Sequence, residues 1–170
     1  MTNPTVVVAR GDAIGPEIAD AVLEILNAAK VPLNYEFIDV GEKIFKTGNT
    51  TGISDSAWEK IHKHRVILKG PITTPQGGGY KSIIVTMRTT LGLYANVRPC
   101  RSYVPFVPSF FPKMDMVIVR ENEEDLYVGI EHRISNESHQ CLKIITRPGS
   151  EQIVRYAFEY AKAYERKAPA

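Results

Sequence analysis

The sequence predicts an α/β fold: a partial parallel sheet with helices, then a stretch of strands with a hairpin, and a C-terminal helix. Three observations carry that expectation. Short β-branched runs alternate with helical stretches as far as residue 91, the grammar of a parallel sheet. From Leu93 the alternation stops and strand-like pieces follow one another. The chain then closes on helical spacing.

Taken in order, residues 5–9 (TVVVA) form an apolar run of the kind found in buried strands. The turn RGDAIGP follows, with Pro16 suited to a first helical turn. Ile18, Val22, Ile25, Leu26 and Ala29 recur at helical spacing, which predicts a helix over 17–29 ending before Pro32. Residues 34–40 alternate as a second strand. Ser54 and Asp55 cap a helix reaching His64, and 66–68 make a third strand. After a glycine-rich loop, 82–91 is a helix of weak intrinsic propensity, because Ile83, Ile84, Val85 and Thr86 are β-branched. Strands are expected at 93–97, 116–120, 127–134 and 141–146, with a hairpin link at 136–138 and a proline-rich span holding Pro105, Pro108 and Pro112. The last helix is expected over 150–166, with Ile153, Tyr156, Ala157, Tyr160 and Tyr164 on one face.

Composition excludes several classes. With 44% hydrophobic and 24% charged residues the chain is ordinary globular protein, and 170 residues suffice for a substantial core. A net charge of +2 without a basic run argues against nucleic acid. No apolar run is long enough to span a bilayer, and MTNPTVVVAR lacks the layout of a signal peptide. Cys100 and Cys141 stand far apart with no metal spacing, so they read as reduced thiols of a cytoplasmic protein.

The stretch KGPITTPQGGGYKS, residues 69–82, holds two prolines and four glycines before Lys81 and Ser82. It fails the P-loop pattern at Pro75 and Tyr80, and it fails the dinucleotide fingerprint at Ser82. A helix N-terminus still favours an anion, a carboxylate as well as a phosphate. Ser82 reads equally as a plain helix cap. Arg88, Arg98 and Arg120 stand on or at the ends of predicted elements, and arginine forks match carboxylates. Spacing alone leaves open whether they converge.

GDAIGPEI (11–18), LKGPITTPQGGGYKS (68–82), LYANVRPCRSY (93–103) and VIVRENEEDLYVGIEHR (117–133) together resemble the isocitrate/isopropylmalate dehydrogenase family of β-decarboxylating dehydrogenases. Within it they resemble the isocitrate type, with Ser82 as the discriminating residue. The resemblance runs from about residue 5 to about 166. It implies that Ser82, Arg88, Arg98 and Arg120 bind the substrate carboxylates, and that Tyr127 is the catalytic proton donor. A phenol is an acid that stays protonated at neutral pH. Thr74 matches a threonine near the nicotinamide end of the cofactor, and Lys69 a basic residue at the loop's start. The implied reaction is oxidation of isocitrate with NAD or NADP and loss of carbon dioxide, with Mg2+ or Mn2+ holding the keto acid.

The same resemblance assigns residues 1–94 to the start of a large α/β domain and 95–126 to the start of a small one. It assigns 127–147 to a clasp-like hairpin through which subunits interlock, and 148–170 to a small-domain helix. The expected partners are isocitrate or a similar tricarboxylate, and a second copy or complementary chain at the clasp. Neither nucleic acid nor membrane is expected. The family's catalytic lysine, metal-binding aspartates and adenosine loop find no match here, so the expectation is an N-terminal segment, inactive alone, with no metal ligands of its own. Glu121, Glu123, Glu124 and Asp125 read as a structural or solvated turn.

Two positions depart from the family pattern. Ile84 stands where the isocitrate type has asparagine, and an isoleucine makes no hydrogen bond. Ala13 replaces a glycine, which strains the turn if φ there is positive and merely stiffens it otherwise. The alternative to a dehydrogenase segment is a non-catalytic relative that binds a tricarboxylate or pairs with a full-length subunit. A bare structural fragment without a ligand is the third reading.

Overall fold

The computed structural model describes residues 3–74 and 82–167. The chain forms two compact units, Met1–Met87 and Arg88–Ala170.

In the first unit, β1 (Thr5–Ala9) lies between β2 (Asn34–Ile38) and β3 (Ile67–Lys69), parallel to both. Flanked on both edges, Val7, Val8 and Ala9 are fully buried, as the unbroken apolar run of a central strand requires. Helix α1 (Gly15–Ala28) starts with proline in its first turn. It buries Gly15, Ala19 and Leu23, while Ile18 and Ile25 of the expected face are exposed. Periodicity gave the right helix and a face turned partly aside. The small Gly15 lies against the backbone of Arg10 and Pro71 in the loops after β1 and β3, where a Cβ would collide with their carbonyl oxygens.

The short helix α2 (Glu42–Phe45) has no counterpart in the sequence reading. Gly41 precedes it at φ 103°, and the backbone N–H of Gly41 donates to the Gly52 carbonyl at 3.0 Å. Helix α3 (Asp55–His64) begins as expected: the Ser54 hydroxyl accepts from the Ala57 N–H at 3.3 Å. It sets Ala57 and Ile61 into the core.

The loops after β1 and β3 are bound to each other through backbone. Asp12 N–H donates to the Pro71 carbonyl at 3.1 Å, Gly70 N–H to Ala9 at 2.8 Å, and Thr73 N–H to the Asp12 carboxylate at 2.6 Å. A Cβ on Gly11 would overlap the Pro71 carbonyl oxygen, and one on Gly70 would overlap that of Arg10. The glycines are there because two backbones touch. Ala13 sits in this turn at φ 49°, which decides the alternative left open by the sequence: alanine is strained here. Ala13→Gly is expected to raise stability by about 0.5 kcal/mol, the strain relieved less the added entropy of a glycine in the unfolded chain. Thermal unfolding checks this, and a lower melting temperature would contradict it.

Helix α4 (Ile83–Leu91) follows Ser82 directly. Ile83 is buried at the helix head, where Gly52 leaves room for its side chain, and Met87 is buried one turn on. That packing holds a helix whose own propensity is poor.

In the second unit, β4 (Ala95–Arg101) and β5 (Asp115–Glu121) are antiparallel, with Asn96 opposite Arg120 and Arg98 opposite Ile118. The expected strand over 127–134 is corrected. Leu126–Val128 is a 3₁₀ turn, bounded by Asp125 at φ 67° and Gly129 at φ 71°. Only Glu131–Arg133 (β6) is extended there, pairing with β7 (His139–Cys141) across the expected hairpin link. Positive φ at both positions interrupts extended backbone there. Helix α5 (Arg147–Ala163) starts earlier than expected, because Thr146 caps it by accepting from the Gly149 N–H at 3.1 Å and Pro148 fits its first turn. Its tyrosines stack in sequence, Tyr156 on Tyr160 at 6.4 Å and Tyr160 on Tyr164 at 4.3 Å between ring centroids.

Candidate functional site

Arg98 and Arg120 share one face of the β4–β5 ribbon. Asn96 is directly opposite Arg120, and Arg98 lies two residues from Asn96, hence on the same face. Diagonal neighbours of this kind stand about 7–8 Å apart at the backbone. Arg98 Nε donates to the Asn96 side-chain oxygen at 3.3 Å, which turns the guanidinium back along the strand. Arg101 falls on the opposite face. There Asp115 accepts from Arg101 at 2.9 Å and from Arg166 at 2.7 Å, joining both strands to the chain just beyond α5.

Arg120 and Tyr127 are in contact. Arg120 Nη2 donates to the Tyr127 hydroxyl oxygen at 2.8 Å, and its guanidinium carbon lies 5.6 Å from the ring centroid. Because the phenol oxygen accepts from Arg120, the phenol's own proton points elsewhere and is available to a ligand. The two side chains line a cavity of about 410 Å3 together with Lys143, Ile145, Ser150 and Ile153.

The acidic turn beside this cavity supports the backbone. Glu121 accepts from the N–H groups of Glu123 at 2.7 Å and Glu124 at 3.1 Å. Glu124 accepts from the Thr146 hydroxyl and, at 2.8 Å, from the Thr146 N–H, so it fixes the start of α5. Lys143, which sequence reasoning passed over, pairs with Asp125 at 3.3 Å. It reaches the cavity through the bridge between Asp125 and Ile144, a local pairing with no motif to announce it.

Electrostatics splits these carboxylates. The Thr146 hydroxyl and N–H hold Glu124 below the usual range, and hydrogen bonds from Arg166 and Arg101 do the same for Asp115. Burial pushes Glu123 up, helped by the charges of Glu121 and Glu124. Asp115 therefore adds stability above the unfolded carboxylate pKa of about 4, lost as pH falls through its lower folded value. Glu123 does the reverse: the stability it adds when protonated is lost as pH rises through its raised folded value. At pH 7 we expect Asp115→Asn to lower the melting temperature and Glu123→Gln to raise it. The Glu123 difference should fade as pH falls to about 4 and the Asp115 difference only below that, and same-sign shifts at pH 7 would contradict this assignment.

Of the remaining expected residues, Arg88 is half-buried in the last turn of α4, and Ile84 stands one turn before it on the same side of the helix. The Ser82 carbonyl accepts from the Thr86 N–H at 3.0 Å and hydroxyl at 3.2 Å. Thr74 is exposed, and Lys69 donates to the Gly70 carbonyl at 3.0 Å. The glycine run 77–79 with Lys81 lies outside the described residues.

The comparisons with known proteins agree with one another. The family model for isocitrate/isopropylmalate dehydrogenase matches residues 5–169. The chain belongs to the isocitrate/isopropylmalate dehydrogenase family. It is 52% identical over 162 residues to the NADP isocitrate dehydrogenase of Rickettsia felis, a match covering 95% of this chain and 34% of that one. It is 47% identical over 160 residues to subunit 2 of the mitochondrial NAD isocitrate dehydrogenase of Schizosaccharomyces pombe, covering 94% and 41%. The crystal structure of isocitrate dehydrogenase from Methylococcus capsulatus superposes with a TM-score of 0.87 at 39% identity, over 96% of this chain and 49% of that one. The chain thus spans about a third of the length of the bacterial NADP relative and under half of the NAD subunit. As in a dehydrogenase of this family, the fold is mixed α/β with a parallel sheet.

Proposed function

We propose that this chain is part of an isocitrate dehydrogenase, which oxidises isocitrate with NAD or NADP and releases 2-oxoglutarate and carbon dioxide. The observation that carries the reading is the Arg120–Tyr127 contact lining a cavity, with Arg98 on the same face of the ribbon as Arg120. Arg98 and Arg120 hold substrate carboxylates as charge-assisted pairs. Tyr127, its oxygen occupied by the Arg120 N–H, hands its proton to the enol carbon left when carbon dioxide departs. Ser82 and Arg88 are assigned to the remaining carboxylates by their place in the matched motif, and Thr74 to the nicotinamide end of the cofactor. Residues 127–147, the hairpin region, are the segment that would clasp a second subunit.

The divalent metal of the reaction does not fit the residues described. Among them no group of three or more His, Cys, Asp or Glu can hold a metal ion, and Glu121 and Glu124 are spent on the N–H groups of their own turn and of Thr146 at the start of α5. No step is therefore assigned to the metal on this chain. Among the described residues no helix is long and apolar enough to cross a membrane.

A relative that binds a tricarboxylate without turnover is the second reading, supported by Ile84 standing where the isocitrate type has asparagine and by Ala13 in place of a glycine. We expect the purified chain to reduce no NAD or NADP with isocitrate and magnesium or manganese present. Steady reduction of either cofactor would overturn that expectation.

A further inference from the structure

We propose that Asp12 is a positioning residue for the cofactor: its carboxylate fixes the Thr73 backbone and so aims Thr74 at the nicotinamide end. The role rests on the reading of Thr74 as a cofactor residue. In a parallel α/β sheet, ligands lie outside the carboxyl ends of the strands, where the strand order reverses. The order β2–β1–β3 places that reversal between β1 and β3. The loops that leave these two strands carry Asp12 and Thr73.

Asp12 is itself held at both backbone groups. Its N–H donates to the Pro71 carbonyl at 3.1 Å, and its carbonyl accepts from the Gly15 N–H at 2.7 Å. The side chain therefore leaves the turn from a fixed base. One carboxylate oxygen accepts from the Thr73 N–H at 2.6 Å, a charge-assisted bond between the two loops. The other oxygen is buried and meets no donor among the described residues. It lies over Gly41, where an added Cβ would stand 2.7 Å from it and 3.7 Å from a methyl carbon of Ile72. Gly41, at φ 103°, leaves the space that the carboxylate fills.

Joining the two loops does not need this carboxylate. The Asp12–Pro71 and Gly70–Ala9 backbone bonds already do so. A buried oxygen without a donor carries a desolvation cost, so the side chain is an expensive way to add one more staple. What it alone secures is the Thr73 peptide, one residue before Thr74. Thr74 is exposed, so its side chain is open to a ligand while the chain before it is fixed from inside. A threonine hydroxyl both donates and accepts, which suits the carboxamide of a nicotinamide.

The test combines residue-resolved amide exchange with titration of nicotinamide mononucleotide, which carries the nicotinamide end of the cofactor without its adenosine. We expect Asp12→Ala to speed exchange at the Thr73 amide by at least about tenfold, with the Gly70 amide, bonded to Ala9, changed by less than about threefold. The nucleotide should shift the Thr74 resonance of the wild-type chain. Asp12→Ala should weaken that binding at least about fivefold and leave isocitrate binding unchanged. Asp12→Asn keeps an acceptor for the Thr73 N–H and should hold nucleotide binding within about twofold of wild type. Gly41→Ala displaces the carboxylate from the other side and should act as Asp12→Ala does, so it decides if Asp12→Ala fails to fold. Unchanged exchange at Thr73 on loss of the carboxylate, or faster exchange with nucleotide binding intact, would overturn the role of Asp12 alone. No response of the wild-type chain to the nucleotide would overturn the assignment of Thr74 and the role of Asp12 with it.

Discussion

Gly11→Ala is expected to destabilise the first unit by about 3 kcal/mol, enough to lower its melting temperature by more than about ten degrees. Gly11 sits at φ 78°, where a side chain costs about 1 kcal/mol on its own. The added Cβ would also overlap the Pro71 carbonyl oxygen, a backbone atom that cannot swing aside as a flexible side chain can. Relief would require separating the loops after β1 and β3, breaking the Asp12–Pro71 hydrogen bond of 3.1 Å. Gly48→Ala is the control: Gly48 has φ 95° but nothing within 4 Å, so only the conformational cost of about 1 kcal/mol applies. Equal losses in the two variants would show that the close approach of the loops is not what Gly11 serves.

Arg120→Ala is expected to weaken isocitrate binding by about 10–100-fold, the worth of one charge-assisted pair. Lysine at that position should recover little, since it supplies a point charge where a planar fork is needed. The variant also frees the Tyr127 hydroxyl, which loses its 2.8 Å donor. Tyr127→Phe separates the two proposed roles: binding should stay within about threefold if, as proposed, the proton acts on the reacting carbon and not on a carboxylate. If Tyr127→Phe costs as much binding as Arg120→Ala, the phenol holds substrate and the proton assignment fails.

The sheet and most helices of the first unit were legible because each signal there is local. TVVVA reads as a buried strand, and Ser54 as a cap, from neighbours alone. The face of α1 was misread because two overlapping stripes share Val22 and Leu26, and only tertiary packing, which buries Gly15, Ala19 and Leu23, chooses between them. The strand expected over 127–134 was misread for a different reason. VGIEHR looks extended throughout, but only Glu131–Arg133 is, because Gly129 takes a left-handed conformation and Asp125 a positive φ beside its bridge to Ile144. Lys143 was invisible for the same cause. Arg98, Arg120 and Tyr127 are proposed from resemblance, and their spacing predicted no contact. It is the register of β4 on β5 that puts both arginines on one face.

Isothermal titration of isocitrate into the purified chain, wild type beside Arg120→Ala and Arg101→Ala, tests the carboxylate site most directly. The site on the Arg98–Arg120 face predicts weak binding heat that disappears with Arg120→Ala and survives Arg101→Ala, whose side chain lies on the other face with Asp115. No heat from the wild-type chain, or heat unchanged by Arg120→Ala, would contradict it.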